Sequence, residues 1–461
     1  MTPGRRARAP VVKAGRTGAT VGAGAAPWTL LACLAVPCIA WAIGPQRFLL
    51  GLTVALQVLF CTFLLRHCAF AVSAMRAAPV DLRTPRVADP SFLPSVSVMV
   101  ACKNEEAVLP ALVGSLLELD YPRDRLELIL VDDGSTDRTG ALLDEYARRH
   151  PHLRCVHRPR RATPGKSAAL NAAVRIAIGQ IFVVFDADHQ PRPDVVRRLV
   201  SHFCDPRVGA VQGRCEIRNP GDSLLARLIA LDYFAGYLVN EYGRQSLFRL
   251  PAYGGANSAV RASSLRALGG WNEDSVTEDT DLTLRLLLRG EHIRYDVNAV
   301  DREEGVVTLA RFWRQRYRWA RGHQQVFRDY WRHVWSSPRL SRWQKVETMM
   351  FLFVFHVPVA SALGLVVFAV ATAQGSSPAG PFPVSVFWTL LFLGPLLELG
   401  AGLLVAEADR REALVLAFFL PLFLVSMALC AKAWIDAALG RPYGWAKTAR
   451  AADGIPVAVP G

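Results

Sequence analysis

Apolar residues follow two different patterns along the chain. Two long segments, 27–44 and 48–65, come one after the other near the beginning, separated by the turn sequence Gly44-Pro45-Gln46-Arg47. Each has about the length that a helix needs to cross a bilayer core. Between 95 and 330, short apolar runs alternate instead with mixed segments. The pattern predicts a membrane-embedded beginning followed by a folded domain.

A second apolar region follows that domain. No Asp, Glu, Lys or Arg occurs between Thr348 and Leu397. The Gly- and Pro-rich stretch 375–383 divides the region, which predicts spans at 350–373 and 384–404 and a third at 413–431. A cytosolic N-terminus and five spans would leave the chain's end outside, whereas the basic tail favours the cytosol. The topology after the central domain therefore stays open.

The central region alternates between strand-like and helix-like segments. Apolar runs at 96–101, 126–131 and 181–185 are typical of buried strands, and the segments 136–149 and 166–178 have helical spacing. This alternation predicts an α/β fold, with a mostly parallel, Rossmann-like sheet and helices on both faces.

These patterns divide the chain into seven parts. They are a disordered basic cytosolic arm (1–26), a transmembrane helical hairpin (27–72), a linker (77–94), a cytosolic α/β domain (95–330), an interfacial helix (331–349), C-terminal transmembrane helices (350–440) and a tail (441–461). The division predicts a multi-pass protein of the plasma membrane whose α/β domain faces the cytosol.

Composition and charge support a membrane location. Of the 461 residues, 52% are hydrophobic, and the formal net charge is +14. Basic residues lie next to the apolar segments: residues 1–80 contain no acid, and residues 311–345 contain ten Arg or Lys and one Asp. Positive charge in these places is explained by cytosolic anchoring and by contact with anionic lipid. No nucleic-acid partner is expected.

The nine cysteines are scattered along the chain, and none forms a Cys-x-x-Cys pair. Neither a disulfide framework nor a zinc site is indicated by this spacing. The pattern is typical of a protein whose catalytic part faces a reducing compartment.

Two carboxylates follow one of the predicted buried strands. The apolar run that begins at Ile181 ends abruptly in Asp186-Ala187-Asp188. Ligands of open α/β sheets bind at the carboxyl ends of the strands. Carboxylate oxygens at this position suit Mg²⁺ or Mn²⁺ that is shared with the phosphates of a substrate. The same triplet also occurs in ordinary turns and helix caps.

Further motifs occur in a fixed order around this triplet. They are Asp132-Asp133-Gly134, Gly165-Lys166-Ser167, Thr277-Glu278-Asp279 and Gln315-Arg316-Tyr317-Arg318-Trp319. As a set, they resemble the family 2 glycosyltransferases of GT-A fold, and more narrowly the membrane synthases of cellulose, hyaluronan, chitin and poly-N-acetylglucosamine. The resemblance covers about residues 95–325, and it implies a GT-A domain embedded between transmembrane helices.

The resemblance assigns the sugar-nucleotide donor to the strand ends. Asp132 and Asp133 would contact the nucleotide, although a helix-cap role fits the same residues. Glu105, after the first strand, would contact the ribose or else complement a helix dipole. Lys166 suits the diphosphate, as Arg318 does with its planar guanidinium. Asp186 and Asp188 would hold the metal ion, and Asp186 would also face the donor.

The resemblance assigns the chemical step to Asp279. Inversion at an α-linked nucleotide sugar needs one base that takes the proton of the acceptor hydroxyl. A helix cap is the alternative role for this acid. The acceptor would lie against Glu278 and against two further groups of residues. These groups are Tyr253, Gly254 and Gly255 in a loop of small residues, and Gln315 and Trp319 in the Gln-x-x-Arg-Trp motif.

The combined prediction is an inverting, processive membrane glycosyltransferase. It would transfer sugar from a UDP-sugar to a growing β-linked polysaccharide such as poly-N-acetylglucosamine or cellulose, in the bilayer and with a possible accessory or export subunit. One alternative is a non-processive enzyme that transfers a sugar to a lipid acceptor and forms a glycolipid. The second alternative is a catalytically silent membrane scaffold. The sequence does not identify the sugar.

Overall fold

The fold is taken from a computed structural model, which describes residues 42–84, 87–160, 165–373, 384–441 and 443. The predicted arm 1–26, nearly all of the first predicted span and nearly all of the tail lie outside the described residues.

Eight strands form one mixed sheet in the order β3-β2-β1-β4-β7-β6-β8-β5. They are β1 (Val96–Cys102), β2 (Leu126–Asp132), β3 (Leu153–His157), β4 (Ile181–Asp186), β5 (Gln190–Pro191), β6 (Val208–Ile217), β7 (Ser258–Arg261) and β8 (His292–Glu303). Strands β3, β2, β1 and β4 are parallel, β7 is antiparallel to both β4 and β6, and β6 is parallel to β8. The predicted mostly parallel α/β sheet is confirmed.

Helices cover both faces of the sheet and continue beyond it. The helices are α1 (Pro45–Arg83), α2 (Leu109–Leu117), α3 (Thr139–Arg149), α4 (Lys166–Val174), α5 (Val195–Ser201), α6 (Leu224–Tyr233), α7 (Ala262–Ala267), α8 (Glu278–Arg289), α9 (Leu309–Ser336), α10 (Arg342–Phe353), α11 (Val357–Ala373), α12 (Val384–Val405), α13 (Arg410–Ala413) and α14 (Phe419–Ala438). Two π-helical segments, Phe234–Glu241 and Arg244–Phe248, follow α6.

The continuous apolar runs of the strands reflect burial on both faces of the sheet. In β1, Val98 and Val100 join the hydrophobic cluster that contains Leu112 of α2, and Met99 joins the opposite cluster, which contains Leu170 of α4 and Leu282 of α8. Successive side chains of a strand point to opposite faces, so a strand covered on both sides must be apolar throughout.

Helix α1 runs further than the sequence predicted. The linker was expected to begin at 77, but α1 continues to Arg83. Its second half places Phe70, Ala74 and Ala78 in a buried cluster with Leu238 of the π-helical segment. Packing of an amphipathic face sustains a helix beyond its membrane-embedded part. The local sequence does not contain these partners.

Among the described residues, two helical stretches are long and apolar enough to cross a membrane: α1, and Arg411–Ala438, which ends with α14. The pair formed by Arg342–Phe353 and Val357–Val370 passes the same test only together, and it bends by 68° at its break. Phe392–Val405, within α12, is apolar but shorter. The prediction of many spans around the domain is therefore confirmed only in part, because a bent or short apolar helix does not by itself define a crossing.

Helix α9 lies tightly against the turn that precedes α8. A Cβ added at Gly322 of α9 would lie only 2.7 Å from Oγ1 of Thr277. The two atoms would overlap at this distance. Gly114 of α2 has no atom within 4 Å of such a Cβ. The two helical glycines therefore form a matched pair, one required by close packing and one not.

We expect Gly322→Ala to lower the free energy of unfolding by about 1–3 kcal/mol, because overpacking forces the two elements apart. Gly114→Ala should be neutral or stabilising, since alanine favours the helix by roughly 1 kcal/mol. Thermal unfolding of both detergent-solubilised variants measures the difference. Equal midpoints would contradict the tight packing.

Candidate active site

The ends of three neighbouring strands align at one edge of the sheet. In the parallel register, Cys102 of β1 pairs with Asp132 of β2, and Ala101 pairs with Asp186 of β4. The carboxylates that the sequence placed on separate strands therefore lie at the same edge. Open α/β sheets bind their ligands at this edge.

Asp132 and Asp133 are buried and held by defined donors. Asp132 accepts a hydrogen bond from the Ser135 backbone N–H at 2.9 Å and lies 3.1 Å from Nδ1 of His157. Burial raises the pKa of Asp132, but the bonds from Ser135 and His157 outweigh it, so the pKa is lowered. Asp133 pairs with Arg158 and accepts the Gly165 N–H at 3.0 Å. Both carboxylates are thus preorganised as acceptors.

Glu105 is placed where the loops after β1 and β2 meet. Its backbone N–H donates to Oγ1 of Thr139 at 2.8 Å, and its side chain is buried. The preceding residue, Asn104, has a φ of 53° and accepts the Thr136 N–H at 2.7 Å. The two loops are thereby joined, and Glu105 lies at the same edge as Asp132.

Lys166, the first residue of α4, links three parts of the site. Its Nζ atom lies 2.5 Å from Asp186 Oδ1 and 3.7 Å from Glu278 Oε1, and it donates to the Gly255 carbonyl at 3.0 Å. Burial lowers the pKa of Lys166, but the carboxylates of Asp186 and Glu278 outweigh it and raise the pKa. Lys166 therefore places a positive charge between the Asp186-x-Asp188 motif and the Thr-Glu-Asp motif.

The Asp186-x-Asp188 pair has a donor set that suits a hard divalent cation. Asp186 ends β4 with its side chain 37% exposed, and Asp188 is buried two residues later. The ammonium group of Lys166 against Asp186 shows that this position attracts positive charge. Oxygen ligands of this kind fit Mg²⁺ or Mn²⁺.

Asp279 lies in the first turn of α8, beneath the small-residue loop. Its Oδ1 atom accepts the Thr280 backbone N–H at 2.6 Å. A Cβ added at Gly255, whose φ is +77°, would lie 3.1 Å from Cβ of Asp279. Glycine at this position therefore lets the loop approach the carboxylate closely. Asp279 keeps a partly exposed side chain, so an acceptor hydroxyl can reach it.

Burial raises the pKa of Glu278 to about 7; the Lys166 charge lowers it, and the neighbouring Asp279 carboxylate raises it. Burial also raises the pKa of Asp279. The hydrogen bond from the Thr280 N–H and the charge of Lys166 lower this pKa, but by less than burial raises it. The two acids titrate as an interacting pair. A carboxyl group with a raised pKa is suited to accept a proton near neutral pH.

We expect kcat/KM for transfer to fall as the pH decreases into the range where Asp279 takes up a proton, and this range lies above that of an ordinary aspartate because burial raises its pKa. In Glu278→Gln, this acidic limb should move to lower pH, since a neighbouring negative charge is lost. Initial rates over a pH series measure both profiles. A limb at the same pH in the variant would contradict coupling between the two acids.

The predicted acceptor loop is linked by side-chain contacts to α1, a candidate membrane span. The Ala252 N–H donates to Glu241 at 2.7 Å, and Glu241 accepts from Arg244 at 3.3 Å. Arg244 lies 3.2 Å from Glu347 of α10, which pairs at 2.8 Å with Arg66 of α1. A buried chain of charges therefore connects the loop to α1.

Within the loop, the glycines and the tyrosine have different environments. The Gly254 N–H donates to Gln212 at 2.6 Å, and Gly255 covers Asp279. Tyr253 is only 1% exposed and belongs to the core cluster beneath the sheet. The loop therefore presents its glycine backbone, rather than the Tyr253 ring, at the surface of the site.

Helix α9 brings the Gln-x-x-Arg-Trp motif to the same acids. The charge of Arg318 lowers the pKa of both Glu278 and Asp279, and its Nε atom is buried without a hydrogen-bond partner in the described part of the chain. Trp319 is half-buried, with the Arg316 guanidinium 4.4 Å from its ring centroid. Gln315, one turn earlier, is also half-buried.

Three supporting residues were not identified from the sequence. Arg158 holds Asp133, and Gln212 holds Gly254. His189, directly after Asp188, is buried between Asp301 and Glu303 of β8. His189 could have been identified from the sequence, because it directly follows the Asp186-x-Asp188 motif. Arg158 and Gln212 lie in no motif that would indicate their roles.

The fold and the strand-edge acids define a nucleotide-sugar transferase domain of GT-A type. Residues 97–269 match the model of glycosyl transferase family 2. A probable glycosyltransferase of Bacillus subtilis, YdaM, is 32% identical over 344 residues, which cover 73% of this chain and 80% of the relative. The chain belongs to glycosyltransferase family 2.

Other relatives refine the comparison. The β-monoglucosyldiacylglycerol synthase of Synechocystis is 39% identical over 299 residues, 63% of this chain and 61% of the relative's length. This chain thus spans about three fifths of that relative. A mannosyltransferase structure from Pyrobaculum calidifontis, with GDP-Man and Mn²⁺, matches with a TM-score of 0.54 at 24% identity, over 84% of this chain and all of that one. That likeness supports the GT-A fold.

The predicted polysaccharide synthase activity is wrong. Relatives named as β-monoglucosyldiacylglycerol synthases reach 39% identity, whereas a poly-β-1,6-N-acetyl-D-glucosamine synthase of Staphylococcus epidermidis is 29% identical over 238 residues. The motif series led to the wrong acceptor because donor-binding and base motifs do not specify what receives the sugar. The glycolipid alternative agrees with these findings.

Proposed function

We propose that this chain is a membrane-bound, inverting glycosyltransferase that adds one hexose to the hydroxyl group of a diacylglycerol-type lipid. The observation that carries this proposal is the 39% identity to a β-monoglucosyldiacylglycerol synthase. The donor is a UDP-sugar, with UDP-glucose the first candidate. The product is a β-linked glycolipid that carries a single sugar.

The strand edge binds the donor. Asp132 and Asp133 accept hydrogen bonds from the base and ribose, and Glu105 faces the ribose. Lys166 and Arg318 neutralise the diphosphate, which suits a buried ammonium and a guanidinium whose Nε has no hydrogen-bond partner in the described chain.

Asp186 and Asp188 would hold Mg²⁺ or Mn²⁺. Such an ion stabilises negative charge on the diphosphate as it leaves. Lys166 lies 2.5 Å from Asp186 Oδ1 and 3.7 Å from Glu278 Oε1, where its ammonium group would also neutralise the phosphates.

Asp279 removes the acceptor's proton. The lipid hydroxyl oxygen attacks the anomeric carbon from the face opposite the diphosphate and forms the new C–O bond. The bond from that carbon to the diphosphate oxygen breaks, and the electron pair leaves with UDP. The hydroxyl proton passes to the Asp279 carboxylate, so an α-linked donor becomes a β-linked product.

The acceptor reaches this site from the membrane side. Glu278, the Gly254-Gly255 backbone, Gln315 and Trp319 surround the approach to Asp279. The buried charges from Glu241 to Arg66 place the loop at a fixed position relative to α1, a candidate span. The hydroxyl group of a lipid at the bilayer surface can therefore reach Asp279 without movement of Asp279 into the membrane.

Exposed tryptophans at the end of α9 and the start of α10 support contact with the bilayer surface. Trp331, Trp335 and Trp343 are 38%, 49% and 73% exposed. Arg332 and Arg342 are exposed beside them. Tryptophan and arginine together are typical of the headgroup region, which agrees with an interfacial segment at 331–349.

The test is donor turnover by purified full-length protein in nanodiscs with and without diacylglycerol. UDP release from UDP-glucose, UDP-N-acetylglucosamine and UDP-glucuronate is compared in the presence of Mg²⁺ or Mn²⁺. We expect release from one donor, dependent on diacylglycerol. Lipid-independent release with a high-molecular-weight product would contradict the proposal, and no release with any donor would favour a silent scaffold.

A further inference from the structure

Three potential metal ligands meet beside the donor site, although they are distant from the Asp186-x-Asp188 motif in sequence. Cys155 and His157 lie two residues apart on β3, an edge strand of the sheet, and therefore face the same side. Asp144 of α3 lies against them. The ligand atoms of all three residues fall within 4.8 Å of one another.

The distances match those of a tetrahedral zinc site. His157 Nε2 lies 3.4 Å from Cys155 Sγ and 3.0 Å from Asp144 Oδ1. With the usual zinc bond lengths to nitrogen, oxygen and sulfur, two ligand atoms of a tetrahedron lie about 3.4–3.6 Å apart. Small side-chain movements would therefore admit the ion. A partly exposed site leaves the fourth position to water.

The second ring nitrogen of His157, Nδ1, contacts a carboxylate, as the distal nitrogen does in many zinc-binding histidines. This Nδ1 atom lies 3.1 Å from Asp132 Oδ2. A carboxylate on the distal nitrogen sets the tautomer and the ring orientation of a metal-binding histidine. A carboxylate, an imidazole and a thiolate together favour a borderline ion such as Zn²⁺ over Mg²⁺.

We propose that Asp144, Cys155 and His157 form a Zn²⁺ site, separate from the site at Asp186 and Asp188, that controls the donor pocket through Asp132. Bound zinc fixes the His157 ring, and with it the Asp132 carboxylate. Zinc therefore changes the KM for the UDP-sugar. This last effect rests on the proposed donor role of Asp132, whereas zinc binding itself does not.

The experiment titrates full-length protein in detergent with Co²⁺ as a spectroscopic substitute, in excess Mg²⁺ and with a phosphine reductant. We expect one Co²⁺ per chain with a thiolate charge-transfer band, and displacement of Co²⁺ by Zn²⁺. Calorimetry should give one Zn²⁺ bound per chain.

Matched variants locate the site. Cys155→Ala should remove the band, and Asp144→Asn should weaken Zn²⁺ binding at least about 10-fold. Cys204→Ala, at an exposed cysteine outside the cluster, should leave both unchanged. A band that persists in Cys155→Ala, or Zn²⁺ binding that is unchanged in Asp144→Asn, would overturn the proposal. Binding that leaves the donor KM unchanged would overturn only its link to Asp132.

Discussion

Asp279→Asn is expected to lower kcat for glycosyl transfer by about 10³-fold, within the range typical of lost general base catalysis. Asparagine keeps the shape of the side chain and can still accept the Thr280 N–H, which is 2.6 Å away in the structure. It cannot take a proton from the acceptor hydroxyl. Donor affinity should change little, because the proposed donor contacts lie at the ends of β1, β2 and β4.

The measurement is UDP release under saturating donor and lipid, with donor affinity determined separately by calorimetry. Asp274→Asn serves as the control, since Asp274 is an exposed acid in the turn before α8. It should retain full activity. If Asp279→Asn turned over at the wild-type rate, another group would have to be the base.

Asp186→Asn is expected to reduce kcat/KM by roughly 10²- to 10³-fold, comparable to the loss of one charge-stabilising group in other active sites. The variant removes a proposed metal ligand and one of the two carboxylates that hold Lys166. Higher Mn²⁺ concentrations should restore part of the activity, because weakened metal binding is offset by mass action.

A Mn²⁺ titration of initial rates measures this effect. Asp124→Asn is the matched control, because its side chain is 80% exposed in the turn before β2, remote from the carboxyl ends of the strands. A variant at Asp186 with an unchanged Mn²⁺ requirement would show that the ion, if needed, binds elsewhere.

The strands and their terminal acids could be predicted because each carries its own local signal. The run from Ile181 to Phe185 is apolar at every position, as a strand covered on both faces must be. Parallel strands end at the same edge, so Asp132 and Asp186 were expected to meet there, and the register brings them together.

Other features depend on contacts between distant segments and carry no local signal. Helix α1 extends to Arg83 because Phe70 and Ala74 pack on a segment more than 150 residues away. The convergence of Asp144, Cys155 and His157 depends on how α3 lies on β3. Cysteine spacing alone had indicated no zinc site, since the ligands there come from two elements of the fold.

The acceptor was the least predictable part of the function. The motifs around Asp132, Asp186 and Asp279 are proposed to serve the donor and the proton transfer, and those tasks are the same for a lipid hydroxyl and a sugar hydroxyl. The residues proposed to face the acceptor include the backbone of Gly254 and Gly255, whose chemistry does not distinguish the two. The role of Tyr253 at the acceptor site stays a prediction, and its side chain is 1% exposed.

The most direct test of the central claim is the number of sugars that each acceptor receives. Full-length protein in nanodiscs containing diacylglycerol is incubated with UDP-glucose, and the organic-extractable product is analysed by mass spectrometry and proton NMR. We expect one hexose per diacylglycerol in β linkage, and no product in Asp279→Asn. A ladder of many hexoses, or sugar only in a water-soluble polymer, would contradict single transfer to a lipid.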